Sequence, residues 1–124
     1  MHRKLLSRHF DALEIAAAIE LLVRDDILSD ERFADNYVRS RVERGFGPLK
    51  IRAELRERGV DRDLIGESVD VYNHEWPSKA LAARNKRFGE DTPDDWDERG
   101  KQTRFLAARG FSQEHIHAVL GEDD

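Results

Sequence analysis

Basic side chains at helical spacing are the feature of this sequence with the clearest chemical meaning. Arg52 and Arg56 stand one helical turn apart, beside the apolar positions Ile51 and Leu55. Guanidinium and ammonium groups in such a row bind the carboxylates of a protein or the phosphates of a nucleic acid. Positions 39–58 hold seven basic residues against three acidic ones. The candidate partner-binding residues of this stretch are Arg39, Lys50, Arg52 and Arg56.

A second basic cluster lies further along the chain, where no acidic residue occurs between positions 79 and 88. It adds Lys79, Lys86 and Arg87 to the candidate partner-binding set. The alternative for the first cluster is a solvated helix surface with pairs such as Lys50 and Glu54, and composition alone favours that alternative. For the second cluster a solvated face with snorkelling side chains and a binding surface are equally supported.

Residues that catalysis or metal binding would need are not suitably arranged. The sequence has no cysteine and no glycine-rich loop ending in lysine and serine or threonine. Its acidic stretch, 91–98, lacks the ordered spacing and central glycine of a calcium loop. His115 and His117 are two positions apart and do not share a helical face. We therefore expect a protein that is not an enzyme and that uses no metal ion and no cofactor.

Composition narrows the class of protein further. The 124 residues are 38% charged and 39% hydrophobic, which is typical of one helix-rich domain or a few small stacked units. No leader peptide and no membrane-spanning run is evident, so we expect a cytoplasmic protein. The net charge of −5 favours a protein partner, or a local basic face, over a nonspecific coat on nucleic acid.

Caps, glycines and prolines predict about eight helices, the first of them a stub before Asp11. The others are a helix from Ala12 to about Arg24, one capped by Ser29 or Asp30 and ending before Gly45, one from Pro48 to Arg58 stopped by Gly59, one after Asp61, one opened by Pro77 and ended by Gly89, one from roughly Asp94 to Arg109, and one from Gln113 to Leu120 capped by Ser112. Apolar periodicity predicts that the helix from Ala12 is buried on two sides, through Ile15, Ile19, Leu22 and Val23 on one face and Leu13, Ala17 and Leu21 on another. It also assigns to the core Phe33, Ala34, Tyr37, Val38, Val42, Ile51, Leu55, Leu64, Ile65, Val69, Tyr72, Trp76, Ala80, Leu81, Phe88, Trp96, Phe105 and Phe111.

Three arginines have structural explanations. Arg41 points into the apolar sector of its helix, so we expect its stem to be packed and its head paired. Arg58 and Arg109 stand in the last turns of their helices, where a cation complements the helix dipole.

An internal repeat connects these last two arginines. Leu55, Arg58, Val60, Asp61 and Ile65 recur without gaps as Leu106, Arg109, Phe111, Ser112 and Ile116, and with one residue of slack near Phe10 and Asp11. Such a period predicts an all-α fold of tandem, helix-turn-helix-like, three-helix repeats in an elongated, curved array, with units 1–44, 48–89 and 93–121. The first unit looks clipped at its start. The turn itself is used by DNA readers and protein-binding bundles alike.

Several ordered motifs together resemble the RecX family. They are Asp30 to Ala34 with Tyr37 to Arg41, Gly45 to Pro48 with Ile51, Glu54, Leu55, Gly59 and Val60, then Trp76, Ala80 and Lys86 to Gly89, and finally Arg104 to Leu106 with Arg109 to Phe111. The similarity extends over nearly the whole chain from about Lys4. It departs from the family pattern at the start, where the family has a longer first helix and a preceding segment.

The resemblance implies a monomeric regulator of recombination and DNA repair that binds the RecA filament. It would lie in the groove of the DNA-bound filament and restrain its growth, ATP turnover and strand exchange, touching DNA only through the filament. With the resemblance, a partner-binding role of the first basic cluster outweighs the solvated-surface alternative, and the second cluster keeps both interpretations. Two other functions stay open, a stand-alone helix-turn-helix DNA-binding protein and a helical adaptor for an unrelated partner.

Overall fold

The computed structural model describes residues 12–121, and regular structure in that range is helical throughout. Six helices follow one another along it: α1 (Ala12–Glu43), α2 (Pro48–Glu57), α3 (Arg62–Asp70), α4 (Trp76–Phe88), α5 (Trp96–Arg109) and α6 (Gln113–Leu120). The prediction of an all-α protein is confirmed. Within the same residues, no helix has both the length and the apolar character needed to cross a membrane.

The first helix corrects the prediction, because α1 continues through the break expected at Ser29 or Asp30. Residues 25–33 contain neither glycine nor proline, so each backbone N–H there can keep its bond to the carbonyl four residues earlier. Serine and aspartate are accepted inside a helix when their side chains face solvent, and both are exposed here. The predicted stub and its cap at Asp11 lie outside the described residues.

The chain divides into two units, one ending at Phe33 and the other beginning at Ala34. The prediction that the first part of α1 is buried on two sides is wrong, because Leu13 is 83% exposed and Leu21 is 57% exposed. Phe33, predicted to be in the core, is 44% exposed. The second unit contains the rest of α1 and the five shorter helices. It holds all the buried apolar residues of the described chain, beginning with Ala34.

The core of the second unit follows the predicted periodicity with two exceptions. Trp76 and Ala80 are buried one turn apart on α4, and Arg84 continues the same face, which leaves Leu81 on an exposed side. Trp96, at the start of α5, is 67% exposed because it precedes the turns that pack inward. The other buried apolar residues are Ala34, Val38, Val42, Ile51, Leu55, Val60, Ile65, Val69, Leu106, Phe111, Ile116 and Leu120.

Arg84 is a buried cation that organises the acidic loop after α4. Its guanidinium donates to Oε1 of Gln102 (3.1 Å), to the Asn85 side chain (2.8 Å) and to the carbonyls of Glu90 (3.3 Å) and Asp91 (2.5 Å). These neutral acceptors satisfy the donors of a charge that burial would otherwise make costly. The loop is therefore fixed against the helix through its backbone, and its acidic side chains face solvent.

Two turns meet backbone to backbone in the second unit, and we call this contact the glycine lock. The N–H of Gly47 donates to the Arg109 carbonyl at 2.7 Å, and the N–H of Leu49 donates to the Gly110 carbonyl at 2.9 Å. A Cβ on Gly47 would lie 2.5 Å from the Gly110 carbonyl, and one on Gly110 would lie 2.4 Å from the Lys50 Cβ. Gly110 also has φ of +99°, as a left-handed helix end requires. Only glycine fits either position.

We expect Gly47→Ala to lower the free energy of unfolding by about 2 kcal/mol or more, because the new methyl group would force the two turns apart. The matched control is Gly66→Ala in α3, where an added Cβ meets nothing within 4 Å. Alanine in a helix interior is favoured over glycine, so the control should gain about 0.5 to 1 kcal/mol. Urea unfolding followed by circular dichroism measures both, and equal effects would contradict the close approach at Gly47.

The first turn of α6 is capped by two reciprocal hydrogen bonds between Ser112 and His115. The Ser112 hydroxyl accepts from the His115 N–H at 3.2 Å, and the Ser112 N–H donates to Nδ1 of His115 at 3.3 Å. Burial lowers the pKa of His115 below its ordinary value of 6.5, while Glu114 opposes this in part. The neutral ring is the form that accepts this hydrogen bond, because a protonated Nδ1 could only donate.

The lowered pKa predicts a pH dependence of stability. Between the folded pKa of His115 and 6.5, the unfolded chain binds more protons, so stability falls as the pH drops through that window. His115→Gln keeps a neutral residue that can complete the capping box. We expect the variant to lose less unfolding free energy than the parent when urea unfolding is repeated from about pH 7.5 down to about pH 5. Parallel losses in the two proteins would contradict the assignment.

Candidate functional site

Arg41 is fixed in a partly buried network next to the glycine lock. Its Nε donates to one oxygen of Glu54 at 3.0 Å and its Nη2 to the other at 2.7 Å, while the Tyr37 hydroxyl donates to the first at 3.1 Å. Burial raises the pKa of Tyr37 above its ordinary value of 10.0, and its bond to the carboxylate adds to this. The expected packed and paired role of Arg41 is confirmed. Glu54, which the sequence would pair with Lys50, is held by Arg41 instead.

The Phe46 ring lies against two guanidinium groups, and this contact helps to position one of them, that of Arg109. The guanidinium carbon of Arg41 lies 3.9 Å from the Phe46 ring centroid, and that of Arg109 lies 4.7 Å from it. Arg109 also lies 5.2 Å from the ring centroid of Phe105 and donates to the Arg44 carbonyl at 3.3 Å. Cations over aromatic faces are attracted by the ring quadrupole. Arg109 therefore does more than complement the dipole of α5, because it joins that helix to the end of α1.

Beside Arg109 the second unit forms a groove between the end of α1, α4 and α5, which we call the basic groove. Its apolar lining consists of Val42, Ala82, Ala83 and Phe105. Its charged lining consists of one acid, Glu43, and the five bases Arg44, Lys79, Lys86, Arg87 and Arg109. The formal charge of the lining is thus +4, in a protein of net charge −5.

The bases of the groove have no carboxylate within ion-pair distance among residues 12–121. The salt bridges of that part of the chain are Arg41 with Glu54, at 2.7 Å, and Arg52 with Asp70, at 2.9 Å. Unneutralised charges of one sign in a concave surface reinforce one another's field and attract anions. The groove is accordingly suited to a partner that carries carboxylates or phosphates.

The structure divides the predicted partner-binding residues between two places. Lys79, Lys86 and Arg87 line the basic groove. Arg39 and Arg56 are exposed, Arg52 is paired with Asp70, and Lys50 lies 5.7 Å from the Phe46 ring centroid; none of these four belongs to the groove lining. Their binding role stays a prediction.

Sequence reasoning missed two members of the groove, Arg44 and Arg109. Arg109 does carry a signal, because it recurs in the internal repeat, but the helix dipole explains that recurrence adequately. Arg44 follows the last turn of α1 and carries no comparable signal. Metal ligation is not indicated among the described residues, where no three histidine or acidic side chains are grouped closely enough to hold an ion.

Comparison with known proteins identifies the family to which this architecture belongs. A family model described as RecX, second three-helix domain, matches residues 29–68, and one described as RecX, third three-helix domain, matches residues 77–120. The chain belongs to the RecX family. The regulatory protein RecX of Halorhodospira halophila is 38% identical to it, over 98% of this chain and 76% of the relative. The RecX of Xanthomonas campestris pv. campestris is 39% identical, over 99% and 76%.

A solved structure has the same fold. The crystal structure of RecX from Lactobacillus salivarius matches with a TM-score of 0.66 at 23% identity, covering 95% of this chain and 79% of that one. Tandem three-helix domains, which the sequence predicts, are therefore confirmed. The unit boundaries 1–44, 48–89 and 93–121 stay a prediction.

The two matched RecX domains both contribute to the basic groove. Residues 42–45 come from the second domain, and the lining from Lys79 to Arg109 comes from the third. The glycine lock joins the same two domains. The groove thus depends on how these two RecX domains are held together.

The two ion pairs should differ in their value to stability. Arg41 and Glu54 have side chains 18% and 20% exposed, against 40% and 55% for Arg52 and Asp70. We expect Glu54→Gln to lower the free energy of unfolding by about 2 kcal/mol, because it removes a charge partner from a partly buried cation. The same change at the exposed pair, Asp70→Asn, should lower it by less than about 1 kcal/mol. Urea unfolding would contradict this ranking if Asp70→Asn were as damaging as Glu54→Gln.

Proposed function

We propose that this chain regulates the RecA recombinase by binding its DNA-bound filament and restraining ATP hydrolysis, filament growth and strand exchange. Membership of a family of regulatory proteins supports a regulatory role, and the resemblance drawn from the sequence supplies RecA as the partner. Since RecA works on DNA, we place the chain in the cytoplasm beside it and expect it to act as a monomer.

The observation that carries the proposal is the set of unneutralised cations in the basic groove. A protein of net charge −5 is repelled by a filament that carries DNA unless it presents a local basic face. The groove is such a face, and it is held by the glycine lock and by the stacking of Arg109. Because the backbone of the groove and the Arg109 side chain are already placed, the ordering cost of binding falls mainly on the exposed lysine and arginine side chains.

The basic residues outside the groove form a second candidate contact with the filament. Arg39 and Arg56 are exposed, so they can meet an anion directly. Arg52 would have to leave Asp70, which costs at most about 1 kcal/mol for an exposed pair. The groove needs no such exchange, and we therefore expect it to contribute more.

The proposal is tested by the single-strand-DNA-dependent ATPase of RecA, titrated with this chain and with charge-reversal variants. We expect the parent to inhibit, and Lys86→Glu with Arg87→Glu to need at least about tenfold more protein for the same inhibition, a loss of about 1.4 kcal/mol. Arg52→Glu with Arg56→Glu should weaken inhibition less.

The matched control is Arg62→Glu with Arg104→Glu, which makes the same change in charge at exposed sites outside the groove. It should inhibit like the parent. If the parent leaves the ATPase unchanged, RecA is not the partner. If the parent instead binds duplex DNA without RecA, with a steep dependence on salt, the chain is a stand-alone DNA-binding protein.

A further inference from the structure

We infer that the basic groove binds an extended acidic segment of a protein, with an aliphatic or aromatic side chain of that segment seated on the groove's apolar lining. The inference rests on the proposed function in that the segment belongs to a protein partner, and it adds the chemistry of the recognised surface. It follows from the apolar lining, the free cations and the state of the aromatic rings.

The lining combines two kinds of surface that an acidic peptide with an apolar residue would match. Val42 is buried and Phe105 is half-buried, and with Ala82 and Ala83 they form an apolar strip. Bases stand beside this strip on all the contributing elements, with Arg44 after α1, Lys86 on α4 and Arg109 on α5. An apolar side chain would be desolvated on the strip while neighbouring carboxylates reach the cations.

The dimensions of the groove suit a short stretch of polypeptide. Lys79 and Arg87 are eight residues apart on α4, which corresponds to about 12 Å of helix. About four residues of extended chain span the same distance. A segment with an apolar residue between acidic ones would therefore meet both ends of the row of bases.

A nucleic acid strand fits the groove less well. Proteins that bind single strands stack bases on exposed aromatic rings. Phe105 meets Phe88 edge to face, with ring centroids 5.3 Å apart, and it also carries the Arg109 guanidinium. Phe46 is covered by Arg41 and Arg109. With these rings engaged, the apolar strip offers a phosphodiester chain no stacking platform.

The test is fluorescence polarisation with a labelled eight-residue peptide of alternating glutamate and leucine, at about 0.15 M salt, where long-range attraction is screened. A peptide with serine in place of leucine keeps the charge without the apolar side chains, and an eight-nucleotide oligothymidylate supplies phosphates. We expect the leucine peptide to bind at least about tenfold more tightly than either of the other probes, because only it can use both surfaces.

Two groove variants and one control make the test specific. Lys86→Glu with Arg87→Glu should weaken binding of the leucine peptide at least tenfold, and so should Ala82→Glu, which places a negative charge at an exposed position of the apolar lining. Arg62→Glu with Arg104→Glu should change it less than twofold. Circular dichroism melts of all three variants check that they fold. Lys86 and Arg87 lie in the last turn of α4, whereas Ala82 is exposed in the interior of the helix, so Ala82→Glu tests the groove without changing the helix end.

The inference is overturned if the oligothymidylate binds more tightly than the leucine peptide, if the serine and leucine peptides bind equally, or if neither groove variant weakens binding. Its failure is distinguishable from failure of the proposed function. If the groove variants lose ATPase inhibition but the parent binds no peptide, RecA stands as the partner and recognition of an acidic segment is rejected. If the parent binds the peptide but does not affect the ATPase, recognition of an acidic segment stands and RecA is rejected as the partner.

Discussion

The contact between the turns at Gly47 and Gly110 is the constraint on which the rest of the second unit depends. Two backbone hydrogen bonds link these turns, and neither position has room for a Cβ atom. The chain can approach itself this closely only where side chains are absent, and the hydrogen bonds satisfy N–H groups that the packing shields from water. This contact holds the end of α1 against the end of α5, and it thereby fixes the second RecX domain relative to the third. The basic groove follows from it.

Charge in this protein is arranged so that structural cations are satisfied and groove cations are not. Arg84 is buried among neutral acceptors, and Arg41 is held by both oxygens of Glu54. Arg109 is intermediate, because it is stacked between Phe46 and Phe105 without a carboxylate partner. In the basic groove, unpaired cations are thus grouped where the surrounding residues already fix the backbone. A regulator that recognises a charged surface benefits from this, since its backbone has little freedom left to lose on binding.

Glycine and proline positions, capping residues and apolar periodicity determined the six helices closely. Pro48, Asp61 and Ser112 open helices as predicted, and Gly59 and Gly110 follow their ends, because the signals that start and stop a helix act on nearby backbone groups. The helix expected from roughly Asp94 begins at Trp96, with Asp95 as its cap. The prediction was wrong at Ser29 and Asp30, where a possible cap is not used. A capping residue permits a helix to begin, but only a glycine, a proline or a competing contact compels the preceding helix to end.

The sequence by itself determined the helical class, the internal repeat, the RecX family and the acid-free basic cluster, since each depends on neighbours along the chain. Tertiary structure alone decided which cations are neutralised and which are brought together. Arg52 and Lys86 are both bases on helices, yet one meets Asp70, 18 residues away, and the other lines a groove with Arg44 and Arg109 from different helices. Coulomb attraction depends on distance in space, and that distance is set by packing and by the glycine lock. Periodicity within one helix contains no information about it.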